Sequence, residues 1–235
     1  MLGRFLMDRG EKEAVANLSQ KVYNFWDKGG RSMTSYKCAI WERIASMPEN
    51  AIFIVNDFLD IADYETVRKT INRMVENGQL IKVARGIYIT DWSQYDEYAF
   101  FHLQHQKVIY SYLSALYLHG LIDVIPKYKE VTVYTGYNPH RFPKEVKRHF
   151  IQKELYEVGV TKLQTSFGNE VRVYDLERSI CDLIRERQKI DVEIFSTSLK
   201  RYIQSSKKDL RKLYKYAREF HVLENVQSLM EVLYE

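Results

Sequence analysis

The chain has 235 residues, of which 46% are hydrophobic, enough for two packed domains of modest size. Its net charge of +4 is mild, so composition alone does not indicate nucleic-acid binding. No apolar run approaches the roughly 20 residues that span a membrane, and the N-terminus lacks a long apolar core with a small-residue cleavage site. We therefore expect a cytoplasmic protein with no membrane partner. Cys38 and Cys181 lie far apart in helical segments, which predicts buried thiols rather than a disulfide.

Residues 11–28 are predicted to form an amphipathic helix that ends at Gly29-Gly30. Its apolar stripe consists of Val15, Leu18, Val22 and Phe25. Because such a stripe must be buried, we favour packing against the rest of the chain, with a dimer contact as the alternative. Residues 1–34 are accordingly predicted to be an N-terminal helical extension.

Several short elements are predicted to follow one another within residues 35–90. Tyr36–Met47 has apolar residues at helical spacing, and the β-branched run Ala51–Val55 predicts a short strand. Asn56 is predicted to cap a second, short helix over Asp57–Ile61. A helix, a strand and a short helix thus precede the longest helix of this region.

The longest helix and a hairpin complete this series. Asp63 is the predicted N-cap, and Asn77-Gly78 ends the helix because both residues tolerate left-handed geometry. The apolar stripe of the helix consists of Val67, Ile71, Met74 and Val75. Leu80–Val83 and Gly86–Ile89 are predicted strands, with a turn at Ala84-Arg85. This order of elements predicts a winged helix-turn-helix DNA-binding domain.

The open face of the predicted long helix carries side chains that suit a DNA groove. Lys69 points away from the apolar stripe, and Arg and Lys pair with guanine, Asn with adenine, and Thr with base or phosphate. The predicted DNA-binding residues are Tyr64, Thr66, Arg68, Lys69, Asn72, Arg73, Lys82 and Arg85. The alternative is an ordinary solvated helix face. Because residues 35–90 carry no net charge, the local placement of side chains must create any positive patch.

Residues 91–107 are acidic and aromatic, and we expect them to form a partly helical linker region. His102 and His105 have the spacing of groups on adjacent helical turns, which would suit a metal site. No nearby cysteine or convincing carboxylate completes such a site. We therefore expect no metal and no cofactor.

Residues 108–235 are predicted to form an α+β domain, a small sheet followed by a helical bundle. A short strand and a helix capped by Ser111 or Ser114 lie within Val108–Gly120. The further predicted strands are Val131–Thr135, His149–Gln152, Leu155–Leu163 and Val171–Tyr174, the last two joined by a hairpin at Gly168-Asn169. The predicted helices are Leu176–Arg187, Val192–Gln204, Lys208–Phe220 and Leu223–Tyr234.

Three carboxylates cluster within eight residues of the second domain. Asp175 is explained as a helix N-cap and Glu177 as a first-turn charge favoured by the helix dipole. Asp182 can pair with Arg178 or Arg185. The alternative is a metal-dependent nuclease that uses the three carboxylates. Because the chain has no glycine-rich phosphate loop, nucleophile elbow or paired-cysteine motif, we favour a protein that is not an enzyme.

Residues 200–218 form the densest basic stretch of the chain. Its cations are Lys200, Arg201, Lys207, Lys208, Arg211, Lys212, Lys215 and Arg218. Tyr202, Tyr214 and Tyr216 interleave with them, which suits a nucleic-acid backbone with tyrosine stacking, or a partner surface. The solvated side of two helices explains the stretch equally well.

Three motifs resemble the AbiE-type antitoxin family (AbiEi). They are SYLSALYLHGLID at 111–123, VYDLERSICDLI at 173–184, and RGIYI at 85–89, which ends the winged-helix pattern. The resemblance covers roughly residues 36–235. It implies a bacterial antitoxin of a type IV toxin–antitoxin system, linked to abortive phage infection. In that family the N-terminal domain represses the operon's promoter, and the C-terminal domain counters a nucleotidyltransferase-like toxin.

The partners implied by this resemblance are the operator DNA of the chain's own operon and the cognate nucleotidyltransferase-like toxin. Direct contact with the toxin stays open. The oligomeric state also stays open, with a monomer that binds cooperatively to repeats as one option. A rival hypothesis is a winged-helix regulator without a toxin, whose second domain senses a ligand or forms oligomers.

Overall fold

The computed structural model describes residues 35–48, 51–90, 96–137 and 142–234. The predicted helix at 11–28 lies outside the described residues. The chain divides into two compact units, Met1–Tyr95 and Asp96–Glu235. Each is treated by itself below. Together they make a mixed α+β protein with two small sheets.

The described part of the first unit contains two helices and one antiparallel sheet. Its elements are helix α1 (Ser35–Ser46), strand β1 (Ile52–Ile54), a 3-10 turn (Val55–Phe58), helix α2 (Tyr64–Glu76), strand β2 (Ile81–Ala84) and strand β3 (Ile87–Ile89). The strand order is β1-β3-β2. In this sheet Ile89 of β3 pairs with Ile52 on one side and Ile81 on the other. The β2–β3 hairpin is therefore anchored to the strand that precedes α2.

Helix α2 begins, packs and ends as its sequence predicts. The Asp63 carboxylate accepts the N–H of Thr66 at 3.1 Å, which satisfies a free donor of the first turn. Asn77 is the C-cap, and Gly78 follows with a φ of +70°, a conformation that glycine adopts without steric cost. Val67, Ile71 and Met74 are fully buried, while Val75 is half-buried. The N-cap, the apolar stripe and the C-terminal stop are all confirmed.

The segment before α2 differs from its prediction. No α-helix over Asp57–Ile61 begins at an Asn56 cap; a single 3-10 turn covers Val55–Phe58, and irregular turns lead to α2. The Asp57 carboxylate bonds back to the N–H of Ile54 at 2.8 Å and so closes this turn. Because the buried residues Val55 and Phe58 are three positions apart, a 3-10 turn points both into the core.

The second unit has a five-stranded mixed sheet. Its elements are helix α3 (Glu97–Gln104), β4 (Ile109–Tyr110), α4 (Tyr112–Leu118), β5 (Lys129–Tyr134), β6 (Val146–Ile151), α5 (Lys153–Tyr156), β7 (Val160–Gln164), β8 (Glu170–Tyr174), α6 (Leu176–Arg185), a 3-10 turn (Arg187–Lys189), α7 (Val192–Gln204), α8 (Leu210–Glu219) and α9 (Leu223–Tyr234). The strand order is β6-β5-β4-β8-β7. The pairs β5–β6 and β4–β8 are parallel, and the other two are antiparallel. Helices α6 to α9 share one apolar core with α4.

The predicted linker region at 91–107 is partly helical, as expected, in its described part. Its described part forms α3, which belongs to the second unit. The Asp96 carboxylate is fully buried and caps α3 through the N–H groups of Tyr98 and Ala99. The same carboxylate accepts the Thr165 hydroxyl at 2.5 Å and the Asn169 amide at 2.9 Å. These bonds tie α3 to the β7–β8 hairpin.

The predicted strand Leu155–Leu163 is wrong in its first half. Residues 153–156 make one helical turn, and β7 begins only at Val160. The Tyr156 side chain is buried, and its hydroxyl donates to the carbonyl of Lys107. Gly159, with a φ of +79°, then turns the chain into β7. The remaining predicted elements of the second unit form close to their expected positions, including the helices capped by Asp175 and Asp191. Ser111 occupies the N-cap position of α4, but its side chain makes no capping hydrogen bond.

The cysteine prediction is confirmed in its main point, because neither thiol forms a disulfide. Cys181 is fully buried, and burial raises the pKa of its thiol to about 12. Cys38 is only half-buried, contrary to the expectation that both thiols are buried. Among the described helices, none is long and apolar enough to cross a membrane.

Candidate nucleic-acid interface

Helix α2 presents one face that the core leaves open. Glu65, Arg68, Lys69 and Asn72 recur at the i, i+3, i+4, i+7 spacing of a single helix face. Lys69 is exposed, and so is Arg73 one residue beyond that row. Neither cation forms a salt bridge with any other residue that the structure describes. Both are therefore available to an anionic ligand.

Two other predicted contact residues on α2 are held by neighbours. The Thr66 hydroxyl donates to the Asp63 carboxylate at 2.7 Å, and this bond lowers the pKa of the Asp63 carboxyl. Arg68 forms a two-point ion pair with Glu65, with Nε–Oε1 at 3.2 Å and Nη2–Oε2 at 2.7 Å. The hydrogen bond from Arg68 lowers the pKa of the Glu65 carboxyl. These side chains are positioned before any ligand arrives.

Asn72 links α2 to the hairpin. The hydroxyl of Tyr88, a buried residue of β3, lies 3.4 Å from the Asn72 Oδ1. Burial is the main reason why the pKa of Tyr88 is raised, so it stays a neutral donor at physiological pH. This contact with a buried residue of the first unit orients the Asn72 amide.

The remaining predicted residues extend this face to the hairpin and the helix start. Lys82 lies exposed on β2 opposite Tyr88, and Arg85 lies exposed in the turn that precedes β3. Gly86 follows with a φ of +77°, which closes this turn. Tyr64, at the first position of α2, is 50% exposed. All eight predicted residues are therefore at least partly exposed in the first unit.

Three aspartates in the described part of the first unit bond to other groups of that unit. Asp60 binds Arg43 through two hydrogen bonds of 2.6 and 2.8 Å. Asp57 and Asp63 bond to backbone N–H groups at the turn and at the helix cap. Glu65 differs from these three aspartates, because it stands on the open face of α2 beside Arg68. Sequence spacing could place Glu65 on this face, but only the side-chain geometry reveals its pairing.

In the second unit, the carboxylates of the predicted helix start have structural partners. Asp175 caps α6 at the N–H of Arg178 and accepts the Tyr216 hydroxyl at 3.2 Å and Lys212 Nζ at 2.8 Å. Glu177 accepts the Tyr202 hydroxyl at 3.3 Å. These contacts join α6 to α7 and α8, and they account for two of the three carboxylates of the nuclease alternative.

Asp182 has a different set of partners. Its carboxylate is buried and binds Arg178 Nε at 3.1 Å and Arg185 Nη2 at 2.7 Å. The Arg178 guanidinium is itself buried and lies 3.5 Å from the ring centroid of Phe220. The predicted pairing of Asp182 is therefore confirmed for both arginines. Within the described parts of the chain, no group of three or more His, Cys, Asp or Glu is placed to hold a metal ion.

The two histidines of the α3 region are part of the packing. Burial lowers the pKa of His102 to about 4, with Arg172 as the next cause. Burial also lowers the pKa of His105, whose ring stacks against Phe142 at a centroid distance of 4.7 Å. Both rings are consequently neutral at pH 7.

A buried polar network in the second unit escapes prediction from the sequence. Glu130 of β5 is 4% exposed and binds His149 of β6 at 2.7 Å and Lys147 at 3.2 Å. The His149 ring stacks on Tyr112, whose hydroxyl accepts a hydrogen bond from Arg185. The available signal in the sequence was an acidic residue directly before the predicted strand Val131–Thr135.

The cations of the basic stretch at 200–218 fall into two groups, those bonded to other groups and those without a salt bridge to a described residue. Arg201 pairs with Asp123, Lys212 with Asp175, and Lys208 donates to the carbonyl of Ser205. The exposed cations without a salt bridge to another described residue are Lys200, Lys207, Arg211, Lys215 and Arg218. Arg211, Lys215 and Arg218 recur along one face of α8.

The tyrosines of this stretch do not suit stacking on bases. Tyr202 is fully buried and Tyr216 is 7% exposed, so both belong to the core of α6 to α9. Tyr214 is half-buried. The interleaved pattern therefore reflects an amphipathic helix that has tyrosine on its core side, and the stacking hypothesis is wrong for Tyr202 and Tyr216.

Comparison with known proteins gives one family match. A model described as a family of unknown function (DUF6088) matches residues 39–96. The matched segment runs from within α1 through β3 to the cap of α3, and so contains the open face of α2 and the hairpin. A search of the curated proteins finds no match.

Proposed function

We propose that the chain is a cytoplasmic winged helix-turn-helix regulator that binds the promoter DNA of its own operon. The observation that carries this proposal is the open face of α2, where Lys69 and Arg73 are exposed and form no salt bridge with any described residue. Arg85 is exposed in the turn between β2 and β3. In a winged helix the longest helix enters the major groove, and the hairpin approaches the backbone or the minor groove. The order α1, β1, 3-10 turn, α2, β2, β3 supports this reading.

The second unit would add contacts to phosphates. Arg211, Lys215 and Arg218 form an exposed stripe along about 10 Å of α8, at the 1.5 Å rise per residue of a helix. Each cation that neutralises a phosphate releases a counterion and strengthens binding at low salt. Since residues 35–90 carry no net charge, we infer that tight binding draws on both units.

As the second part of the proposal, the chain acts as the antitoxin of a type IV system. This part rests on the resemblance of residues 111–123 and 173–184 to AbiE-type antitoxins. Residues 112–118 form α4 and residues 176–185 form α6, two helices that pack in one core. The second unit would oppose the nucleotidyltransferase-like toxin, whereas the first would repress the promoter.

Two measurements test these parts separately. Fluorescence anisotropy with a duplex of the upstream promoter region should give saturable binding that survives a large excess of scrambled duplex. Equal affinity for both duplexes would contradict the regulator proposal. For the antitoxin part, co-expression with the adjacent gene should restore growth that this gene alone prevents. An adjacent gene that is harmless on its own, or toxic despite the chain, would contradict it.

A further inference from the structure

The ion pair between Glu65 and Arg68 fixes the orientation of a guanidinium on the open face of α2. Glu65 Oε1 accepts from Nε of Arg68 at 3.2 Å, and Oε2 accepts from Nη2 at 2.7 Å. Both contacts use the side edge of the guanidinium, the edge that carries Nε. The Arg68 side chain remains 42% exposed and that of Glu65 59% exposed. The pair is therefore preformed and accessible.

Among the residues that the structure describes, none hydrogen-bonds to the other edge of the guanidinium. An arginine has five N–H donors in a rigid planar fork. With the side edge occupied, Nη1 and the second proton of Nη2 form an end edge with two nearly parallel donors. That edge matches the O6 and N7 acceptors of guanine in the major groove, the commonest specific contact between proteins and bases.

The position of the pair on α2 suits the same role. Glu65 lies in the first turn and Arg68 one turn later, and the N-terminal part of a recognition helix is the part that meets base edges. Arg68 is followed by the exposed Lys69, which forms no salt bridge with another described residue and can bind a phosphate or a second base. An unpaired arginine would instead sample many rotamers and could bind any nearby phosphate.

We propose that Arg68 reads a guanine through its end edge and that Glu65 is the positioning residue that holds it there; this rests on the proposed DNA-binding function. The Glu65 carboxylate adds a second effect, because it repels phosphates from the binding face. Glu65 thereby lowers affinity for DNA in general while raising the preference for the correct base. Loss of its charge should change these two quantities in opposite directions.

The experiment uses the full chain and duplexes enriched from a random-sequence library. In the best duplex, each guanine is replaced in turn by adenine and by 7-deazaguanine, which lacks the N7 acceptor. For the wild-type chain we expect one guanine whose replacement by adenine weakens binding by roughly 5- to 150-fold, the range of one bidentate pair. The 7-deaza replacement at that site should cost several-fold.

Three variants test whether Arg68, held by Glu65, recognises that guanine. In Arg68→Ala, replacement of the guanine should no longer matter. In Glu65→Gln, affinity for scrambled duplex should rise while discrimination at that guanine falls several-fold. Glu170→Gln is the matched control, because it removes one carboxylate from the exposed pair with Lys162 in the second unit. It should leave discrimination unchanged.

The outcomes separate this inference from the function on which it rests. If the wild-type chain enriches no sequence, the DNA-binding proposal itself fails. If it enriches a sequence but no guanine depends on Arg68, the base-reading role is overturned. If Arg68→Ala loses discrimination while Glu65→Gln keeps it in full, Arg68 reads the base without a positioning residue. Thermal melting of each variant shows whether an affinity change comes from unfolding.

Discussion

Lys69 and Arg73 are the two exposed cations of α2. They are exposed, they belong to no buried cluster, and neither forms a salt bridge with a described residue. Arg68 differs from them, because Glu65 already holds it. The open face thus combines free cations, which suit phosphates, with one fixed guanidinium, which suits a defined acceptor pair.

We predict that Lys69→Ala and Arg73→Ala each weaken promoter binding by about five- to 100-fold if the side chain contacts a base or a phosphate. Folding should be unaffected, since neither residue contributes to the apolar core. Lys127→Ala, which removes an exposed cation of the second unit, is the matched control for net charge. Gel-shift titration with the promoter duplex gives the affinities. Wild-type affinity in both α2 variants would exclude this helix from the groove.

The lowered pKa of His102 predicts how the stability of the folded chain depends on pH. Burial lowers its pKa in the folded chain to about 4, whereas the unfolded value is near 6.5. The unfolded state therefore binds more protons between these values, so stability is full above pH 6.5 and falls as the pH drops toward 4. The charged groups that act on the His102 ring are Arg172, Glu170 and Lys162.

We expect the urea midpoint of the full chain to fall between pH 7.5 and pH 5.0, and to fall less in His102→Gln. Because carboxylates with lowered pKa values titrate mainly below this window, their contribution there is small. Burial also lowers the pKa of His105 and of His119. The urea midpoint of His102→Gln should therefore still fall with pH, but by less than that of the wild-type chain. An equal slope in both proteins would show that His102 is not responsible.

At the scale of elements, local signals explain why most of the fold could be predicted. The caps at Asp63, Asp175 and Asp191 are short-range interactions, and the side chains that make them lie within three residues of their partners. In contrast, the helical turn at 153–156 depends on a bond from Tyr156 to Lys107, 49 residues away. No local pattern contains that information, and the sequence pattern therefore predicts a strand that already begins at Leu155.

In the candidate site too, features set by local sequence were predictable and features set by tertiary contacts were not. Helical periodicity placed Lys69, Asn72 and Arg73 on one face, because that periodicity depends only on the backbone. The pairing of Glu65 with Arg68 depends on rotamers, and i, i+3 spacing permits it without requiring it. The contact of Asn72 with Tyr88 crosses from helix to sheet and needs the tertiary fold.

Gly159, directly before β7, packs closely against α6 and allows a prediction about this contact. It has a φ of +79°, and an added Cβ would lie 2.8 Å from the Cβ of Arg178 on α6. Gly168, in the β7–β8 hairpin, has nearly the same φ of +80° but open space around it. Gly159→Ala should therefore cost about 1–3 kcal/mol more than Gly168→Ala, the usual penalty of overpacking. The shared backbone strain cancels in this comparison, which urea unfolding of the two variants can measure. Equal losses would show that α6 shifts without cost.

At the scale of the whole molecule, the unit boundary at Tyr95 and Asp96 determines which fragments can be used. Asp96 is buried and bonds to the start of α3, to Thr165 and to Asn169. A fragment that starts at Tyr95 keeps these bonds, whereas one that starts at Val108 loses α3 and leaves the Thr165 hydroxyl without this acceptor. Leaving such a buried polar group unpaired costs about 1–3 kcal/mol.

If the two units have separate tasks, the fragment 95–235 should protect cells from the toxin at least in part, but fail to repress the promoter. The fragment 108–235 should protect less, because its sheet has lost the helix that Asp96 anchors. A fragment that ends near Asp91 should bind DNA weakly at physiological salt, since residues 35–90 carry no net charge and the α8 cations are missing. Growth rescue and a promoter reporter distinguish these fragments. A folded 95–235 fragment that gives no rescue while the full chain does would mean that protection needs the first unit. The toxin would then be controlled through transcription or through a surface to which both units contribute.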